Sequence, residues 1–171
     1  MYLHQKSYAQ AYNYLKRIID SGVYGLEPSS EISLGLSSRE IVWGLRTDSQ
    51  QQSSESVLKD NAYVPFVIYT EVLLSAAECA YHLGNRAEAM AYSNKVTQVR
   101  NLPLISEVNF IESLRSVWQS ELKGFGSYFS FLRRNNLAVE QLKIKDYQQL
   151  LPIPLQEMET NQNLIQNPGW K

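Results

Sequence analysis

The stretch from Val64 to Arg100 constrains the fold more than any other part of this 171-residue chain. Apolar and small side chains recur in it at spacings of three and four, the period of one face of an α-helix. Gly84 and Asn85 interrupt the pattern near its middle. Small or aromatic side chains can face each other across this break: Ala76, Ala77 and Ala80 before it, and Ala87, Ala89 and Tyr92 after it. We therefore predict a helical hairpin over 64–100.

The hairpin resembles one tetratricopeptide unit, because Gly84 stands at the turn and Ala89 and Val96 occupy small and apolar positions of the second helix. Its first helix lacks the aromatic residue that usually stands near the start of such a unit. One unit cannot bury both of its own faces, so neighbouring helices must cover them. The helical pattern recurs in four other places: residues 5–21, 107–123, a turn or two after Gly126, and 137–143.

The segment between the first helix and the hairpin has no sustained helical period and is rich in Gly, Ser and Gln. Within it, EIVWGL at 40–45 indicates a short extended run, and residues 46–60 indicate a mobile polar loop. The length of the chain fits one domain. We expect an all-α fold over 1–171, a single domain of tetratricopeptide-like helical hairpins with irregular loops and an ordered extended C-terminal tail.

The C-terminal stretch QLLPIPLQEMETNQNLIQNPGWK, at 149–171, is rich in Pro, Asn and Gln. Pro152 and Pro154 fix their own φ angles and keep the preceding residues extended. Asn-Pro-Gly favours a turn, and Asn and Gln side chains can bond a non-repetitive backbone to helix ends. We expect this tail to lie in order across the helices, held at its end by Trp170, rather than to act as a binding loop.

The tail resembles the C-terminal signature of the SusD/RagB family of outer-membrane nutrient-binding lipoproteins. The matching positions are Leu151–Pro154, Glu157, Asn161–Leu164 and Gln166–Trp170. Three other stretches resemble the family in the same order along the chain: YLKRIIDSGVYGL at 14–26, YTEVLLSAAECAYHLGNRAEAMAYSNKVTQVRNLPL at 69–104, and SELKGFGSYFSFLRRNNLA at 120–138. One position departs from the pattern, since Phe125 stands where the family carries a Glu before Gly.

The resemblance implies a non-catalytic protein of the outer membrane, a surface-exposed lipoprotein that captures an oligosaccharide or other nutrient. It also implies a partner, a SusC-like TonB-dependent transporter that receives the ligand. The chain resembles the C-terminal portion of a longer member, without the signal peptide or the lipid-bearing Cys. Ligand-binding loops in the family come largely from regions that this chain lacks, so we expect weak or absent glycan binding by the chain alone. The alternative is a helical-repeat adaptor that binds a protein partner.

The balance of charges and the absence of known motifs restrict the functions that the chain can have. Sixteen basic and seventeen acidic residues give a net charge of −1, which disfavours a nucleic-acid partner. The single cysteine, Cys79, excludes an internal disulfide and sits in a helical apolar context that favours burial. His4 and His82 are the only histidines, and no catalytic, metal-binding or phosphate-binding motif is present. We expect no enzyme activity, no catalytic residues, no metal and no cofactor.

Aromatic residues are the candidates for ligand binding. The chain has eleven Tyr and three Trp against five Phe, a bias towards rings with a polar tip. Sugars bind by C–H contacts with flat rings and by hydrogen bonds from polar side chains. Trp43, in the irregular EIVWGL segment, and Tyr63, before the helical hairpin, are the predicted ligand-binding residues. The alternative for both is a place in the core, which we expect for Trp118 from its helical apolar spacing.

Overall fold

The computed structural model describes residues 1–28, 38–46 and 63–170. The chain divides into two compact units, residues 1–126 and 127–171. The expected single domain over 1–171 stays a prediction. Residues 47–60 of the predicted mobile loop lie outside the described ranges.

The described residues of the first unit form four helices and two strands. In chain order these are α1 (Tyr8–Asp20), β1 (Ile41–Arg46), β2 (Tyr63–Ile68), α2 (Tyr69–His82), α3 (Arg86–Val99) and α4 (Phe110–Leu122). The second unit contains α5 (Ser127–Arg134), α6 (Ala138–Leu142), a 3₁₀ helix (Asp146–Gln149) and α7 (Leu155–Thr160). The mostly helical fold is therefore confirmed, with a small two-stranded sheet as its β content in the described ranges.

Helix α2 forms the centre of the first unit. Helices α1, α3 and α4 all contact it, and most of its side chains are buried. Its alanines and Cys79 are completely inaccessible to solvent, which lets the neighbouring helix axes approach closely. Gly84 has a φ of +85° at the turn into α3, a conformation that glycine adopts without strain. The predicted helical hairpin, its turn and the buried Cys79 are confirmed, as is the core position of Trp118.

The start of the predicted hairpin is wrong. Residues 63–68 form strand β2, and the helix begins only at Tyr69. β2 runs antiparallel to β1 from Ile41 opposite Ile68 to Arg46 opposite Tyr63. Its sequence, YVPFVI, is rich in β-branched and aromatic residues, and Pro65 is tolerated in a short two-stranded sheet that has no central strand. Pairing with β1 decides the conformation of this apolar run.

Tyr12 connects α1 to α3. Its hydroxyl donates a hydrogen bond to Glu88 Oε2 at 2.9 Å and lies 3.3 Å from the hydroxyl of Tyr92. Burial is the main cause that raises the pKa of Tyr12 well above its usual value, and the contacts with Tyr92 and Glu88 raise it further. Helix α1 ends at Asp20, close to the end of the helical pattern predicted over residues 5–21. Gly22 follows it with a φ of +65°, a conformation common just after a helix.

The tail in the second unit is held by bonds between its own two ends. Gln166 accepts from the backbone N–H of Ile153 at 2.8 Å and donates to the carbonyl of Ile153 at 3.0 Å. Asn167 donates to the carbonyl of Leu151 at 2.6 Å, and the Trp170 indole donates to that of Leu150 at 2.7 Å. These amide side chains bond the Leu-Pro-Ile-Pro segment rather than helix ends.

The tail is not extended throughout, because α7 lies between its two bonded segments. Close to its end, the ring of Trp170 meets the ring of Tyr147 edge to face, with centroids 5.3 Å apart. Gly169 lies directly against Tyr147 with a φ of +89°, so a Cβ at this position would overlap the ring. The residues that match the family signature therefore form a segment that folds back on itself. Its docking across the helices stays a prediction.

Candidate functional site

The two-stranded sheet carries a group of exposed apolar side chains on the first unit. Trp43 on β1 is 58% exposed and Phe66 on β2 is 49% exposed. Their ring centroids are 4.9 Å apart, with the planes tilted by 39°. Leu45, two residues after Trp43, is also largely exposed. Trp43, Leu45 and Phe66 are called the sheet patch below.

A β-bulge places Phe66 beside Trp43. Trp43 pairs with Val67 and Gly44 pairs with Pro65, which leaves Phe66 as an extra residue of β2 at this point. Bulges of this kind bend a strand and redirect a side chain. The sheet patch is therefore a product of irregular strand pairing and not of a simple alternation along one strand.

Of the two predicted ligand-binding residues, the structure describes the side chain of Trp43 but not that of Tyr63. Trp43 is exposed, so its alternative place in the core is wrong. Tyr63 begins β2, with its Cα opposite that of Arg46, but its side chain lies outside the described part of the structure. The ligand-binding role of both residues stays a prediction. Phe66 was missed in the sequence, where VPFVI gave an apolar run that was interpreted as helix.

A buried carboxylate anchors the sheet at the start of β1. Glu40, which precedes Ile41, is completely buried. Its Oε1 accepts hydrogen bonds from the backbone N–H of Glu27 at 2.6 Å and from the guanidinium of Arg100 at 2.7 Å. Its Oε2 accepts from the hydroxyl of Thr70 at 3.3 Å. A buried carboxylate needs such partners, because an uncompensated charge in the interior is very costly.

Arg100 completes this arrangement from the end of α3. Its Nε donates to Glu121 Oε2 on α4 at 2.8 Å, and its Nη1 donates to the carbonyl of Glu27. Burial acts to lower the pKa of Arg100, but the hydrogen bonds to Glu121 and Glu40 outweigh it and raise the pKa above its usual value. The guanidinium therefore stays charged and joins three parts of the first unit. Arg100, Glu40 and Glu121 are called the buried ionic cluster below.

Glu40 also fixes the end of strand β2. The backbone N–H of Tyr69, which follows β2, donates to the carbonyl of Glu40 at 2.7 Å. The beginning of β1 and the end of β2 are thus bonded together on top of α2. This arrangement holds the sheet patch on a rigid support, as a binding surface with a low ordering cost requires.

No group of three His, Cys, Asp or Glu side chains that could hold a metal ion occurs among the residues that the structure describes.

Within the described ranges, no helix combines the length and the apolar character needed to cross a membrane.

Comparison with known proteins gives one family. The sequence profile of the SusD family matches residues 2–143. No curated protein matches the chain.

Two solved structures share the fold. One is a SusD superfamily protein from Bacteroides vulgatus ATCC 8482, with a TM-score of 0.80 and 16% identity over 99% of this chain. The other is the surface glycan-binding protein A from Bacteroides thetaiotaomicron, with a TM-score of 0.75 and 17% identity over 98% of this chain. The match covers 60% and 61% of those chains, so this chain spans about three fifths of their length.

Proposed function

Because this chain belongs to the SusD family, we propose that it is part of a non-catalytic, cell-surface protein that captures oligosaccharides. In this proposal the protein is a lipoprotein of the outer membrane and delivers its ligand to a SusC-like TonB-dependent transporter. The observation that carries the proposal is the family match over 2–143. The shared fold with a surface glycan-binding protein supports it.

The sheet patch is the proposed contact surface for the saccharide. The C–H groups of a sugar ring pack against the face of an aromatic ring, and Trp43 offers the largest exposed ring of this patch. Phe66 lies beside it, so the two rings form a continuous apolar platform. Tyr63, which pairs with Arg46 on β1, keeps its predicted ligand-binding role in this proposal.

Capture and release need no covalent step, so the proposed protein acts through affinity alone. The transporter contact is proposed to come from the helical scaffold, and the remaining two fifths of the length of the solved relatives would add further ligand contacts. The chain by itself is therefore expected to bind saccharides weakly.

The alternative is a helical-repeat adaptor that binds a protein partner. The same sheet patch supports it, because three neighbouring exposed apolar side chains also suit a protein contact. The two functions differ in what the patch binds, and in the expected neighbour of the gene. The nutrient-uptake proposal expects a gene for a large TonB-dependent barrel directly upstream.

Affinity electrophoresis tests the proposed capture of glycans. The chain is run through native gels that contain starch, xylan, mannan, pectin or no polysaccharide. We expect at least one polysaccharide to retard the chain, and Trp43→Ala to migrate as in the gel without polysaccharide. Leu104→Ala is a matched control, because Leu104 is also an exposed apolar residue but lies outside the sheet patch. Equal migration of the unaltered chain in all gels would contradict saccharide binding by the sheet patch.

Purification of the tagged protein from outer membranes tests the proposed delivery. A TonB-dependent barrel that is encoded next to the gene should co-purify in near-equal amount. Recovery of a different partner protein, through contacts that Trp43→Ala removes, would support the adaptor instead.

A further inference from the structure

The first unit also has a recess, apart from the sheet patch. It is a cleft of about 340 Å³ between the first residues of the chain, α1, β2 and α2. Its walls include Tyr2, Tyr14, Leu15, Val67, Glu71 and Ser75. We propose that this tyrosine cleft is a second saccharide-binding site that takes a short unit of the glycan. The inference rests on the proposed capture of oligosaccharides and assigns it a further site.

Two parallel tyrosine rings form one wall of the tyrosine cleft. Tyr2 and Tyr14 are stacked with their centroids 5.5 Å apart and their planes within 3° of parallel. Tyr14 is 54% exposed and Tyr2 is 37% exposed. Stacking orders the rings before any ligand arrives, which lowers the entropic cost of binding. An exposed, ordered ring of this kind suits the C–H face of a sugar.

Polar side chains also line the cleft. Glu71 and Ser75 are four residues apart on α2 and therefore lie on one face of that helix. A carboxylate accepts hydrogen bonds from two neighbouring sugar hydroxyls, and a serine hydroxyl can both donate and accept. Leu15 and Val67 add apolar lining. A pyranose ring has the same division into apolar face and polar rim.

The size of the tyrosine cleft restricts its ligand. About 340 Å³ is near the lower end of the roughly 300–1,000 Å³ that is typical of ligand pockets, so the cleft suits a short unit of the glycan. Glu71 is the one carboxylate in its described lining. His4 also lines the cleft, so a carboxylate and an imidazole are both present to bond sugar hydroxyls.

Strand β2 separates the tyrosine cleft from the sheet patch. Phe66 lies against Trp43, whereas Val67, the next residue, lines the cleft. Phe66 is the extra residue of the β-bulge, where regular alternation of side chains is interrupted, and neither Phe66 nor Trp43 belongs to the lining of the cleft. The two sites can therefore be tested independently by substitutions on either side of β2.

Nuclear magnetic resonance of the labelled chain tests the proposal. The aromatic resonances of Tyr2 and Tyr14 and the indole N–H of Trp43 are followed during titration. The probes are maltotetraose, cellotetraose and mannotetraose. We expect at least one tetrasaccharide to shift Tyr2 and Tyr14, and to do so in Trp43→Ala as well.

Variants of the cleft complete the test. Tyr14→Ala should remove the shifts of the cleft resonances and leave that of the Trp43 indole, whereas Tyr14→Phe, which keeps the ring, should retain them. Glu71→Gln should weaken binding at the cleft several-fold, with circular dichroism as the check that the variant is folded. Shifts at Trp43 and Phe66 alone would overturn the second site and leave the proposed function standing. An absence of shifts with every probe would contradict both.

Discussion

The guanidinium of Arg100 and the carboxylate of Glu40 lie 2.7 Å apart in the interior, with side chains that are 1% and 0% exposed. Sixty residues separate them in the sequence. Their contact joins the end of α3 to the start of β1, and the sheet patch begins three residues after Glu40. The proposed binding surface therefore depends on a charge pair that is buried in the interior.

Removal of Arg100 should destabilise the first unit strongly. Arg100→Met would leave Glu40 and Glu121 buried without their cation, and loss of one partner of a buried pair costs about 3–5 kcal/mol. We expect a loss of this size in the free energy of unfolding, measured by urea denaturation followed by circular dichroism. The double variant Arg100→Met with Glu40→Gln should recover part of it, because one uncompensated charge is then gone.

Lys16→Met is the control for the buried pair. Lys16 and Asp20 form an exposed ion pair on α1, and such surface pairs contribute about 0–1 kcal/mol. A loss in Arg100→Met as small as that in Lys16→Met would show that the buried ionic cluster does not hold the unit together.

Tyr12 should make the chain sensitive to alkaline pH. The pKa of Tyr12 is raised in the folded state by burial and by its contacts with Tyr92 and Glu88. The unfolded chain loses this proton near pH 10 while the folded chain keeps it, so the unfolded state gains stability as pH rises above about 10. Urea denaturation between pH 8 and 11 should show a steeper loss of stability for the unaltered chain than for Tyr12→Phe.

At neutral pH the same variant should cost about 0.5–1.5 kcal/mol, the usual contribution of one hydrogen bond, because Glu88 loses its donor. Parallel pH profiles for the two proteins would mean that the phenol of Tyr12 titrates normally in the folded state.

Gly169→Ala should loosen the C-terminal tail. The substitution strains the backbone at a φ of +89° and also places a Cβ against the ring of Tyr147. Amide hydrogen exchange at Ile153, whose N–H is bonded to Gln166, should become faster. Gly124→Ala is the matched control, because Gly124 has a φ of +106° but open space where the Cβ would lie. Equal protection of Ile153 in both variants would show that contact with Tyr147 has no part in tail order.

The helices were predictable because their signals are local. Ala76, Ala77 and Ala80 mark a closely packed helix, and Gly84 marks its turn, whatever the rest of the chain does. The start of α2 was not predictable in this way. The apolar run before Tyr69 becomes strand β2 because it pairs with β1, and a pairing partner about twenty residues away leaves no periodic trace in the run itself.

The candidate site was predictable only in part. Trp43 was found because an aromatic residue in an irregular segment is unusual, but its exposure depends on a bulge that the sequence does not specify. No pattern in the sequence indicated the buried ionic cluster. Glu40, Arg100 and Glu121 are ordinary charged residues of three separate segments, and only the packed fold brings them together.

Isothermal titration calorimetry of the chain with soluble oligosaccharides tests the proposed capture most directly. The chain, Trp43→Ala and Leu104→Ala are titrated with the oligosaccharides of whichever polysaccharide retards the chain, after circular dichroism has established that all three are folded. The proposal predicts measurable binding by the chain and by Leu104→Ala, and at least a tenfold loss of affinity in Trp43→Ala, or about 1.4 kcal/mol. Equal affinity in all three would contradict a role for the sheet patch, and no binding by the folded chain would contradict saccharide capture by this part of the protein.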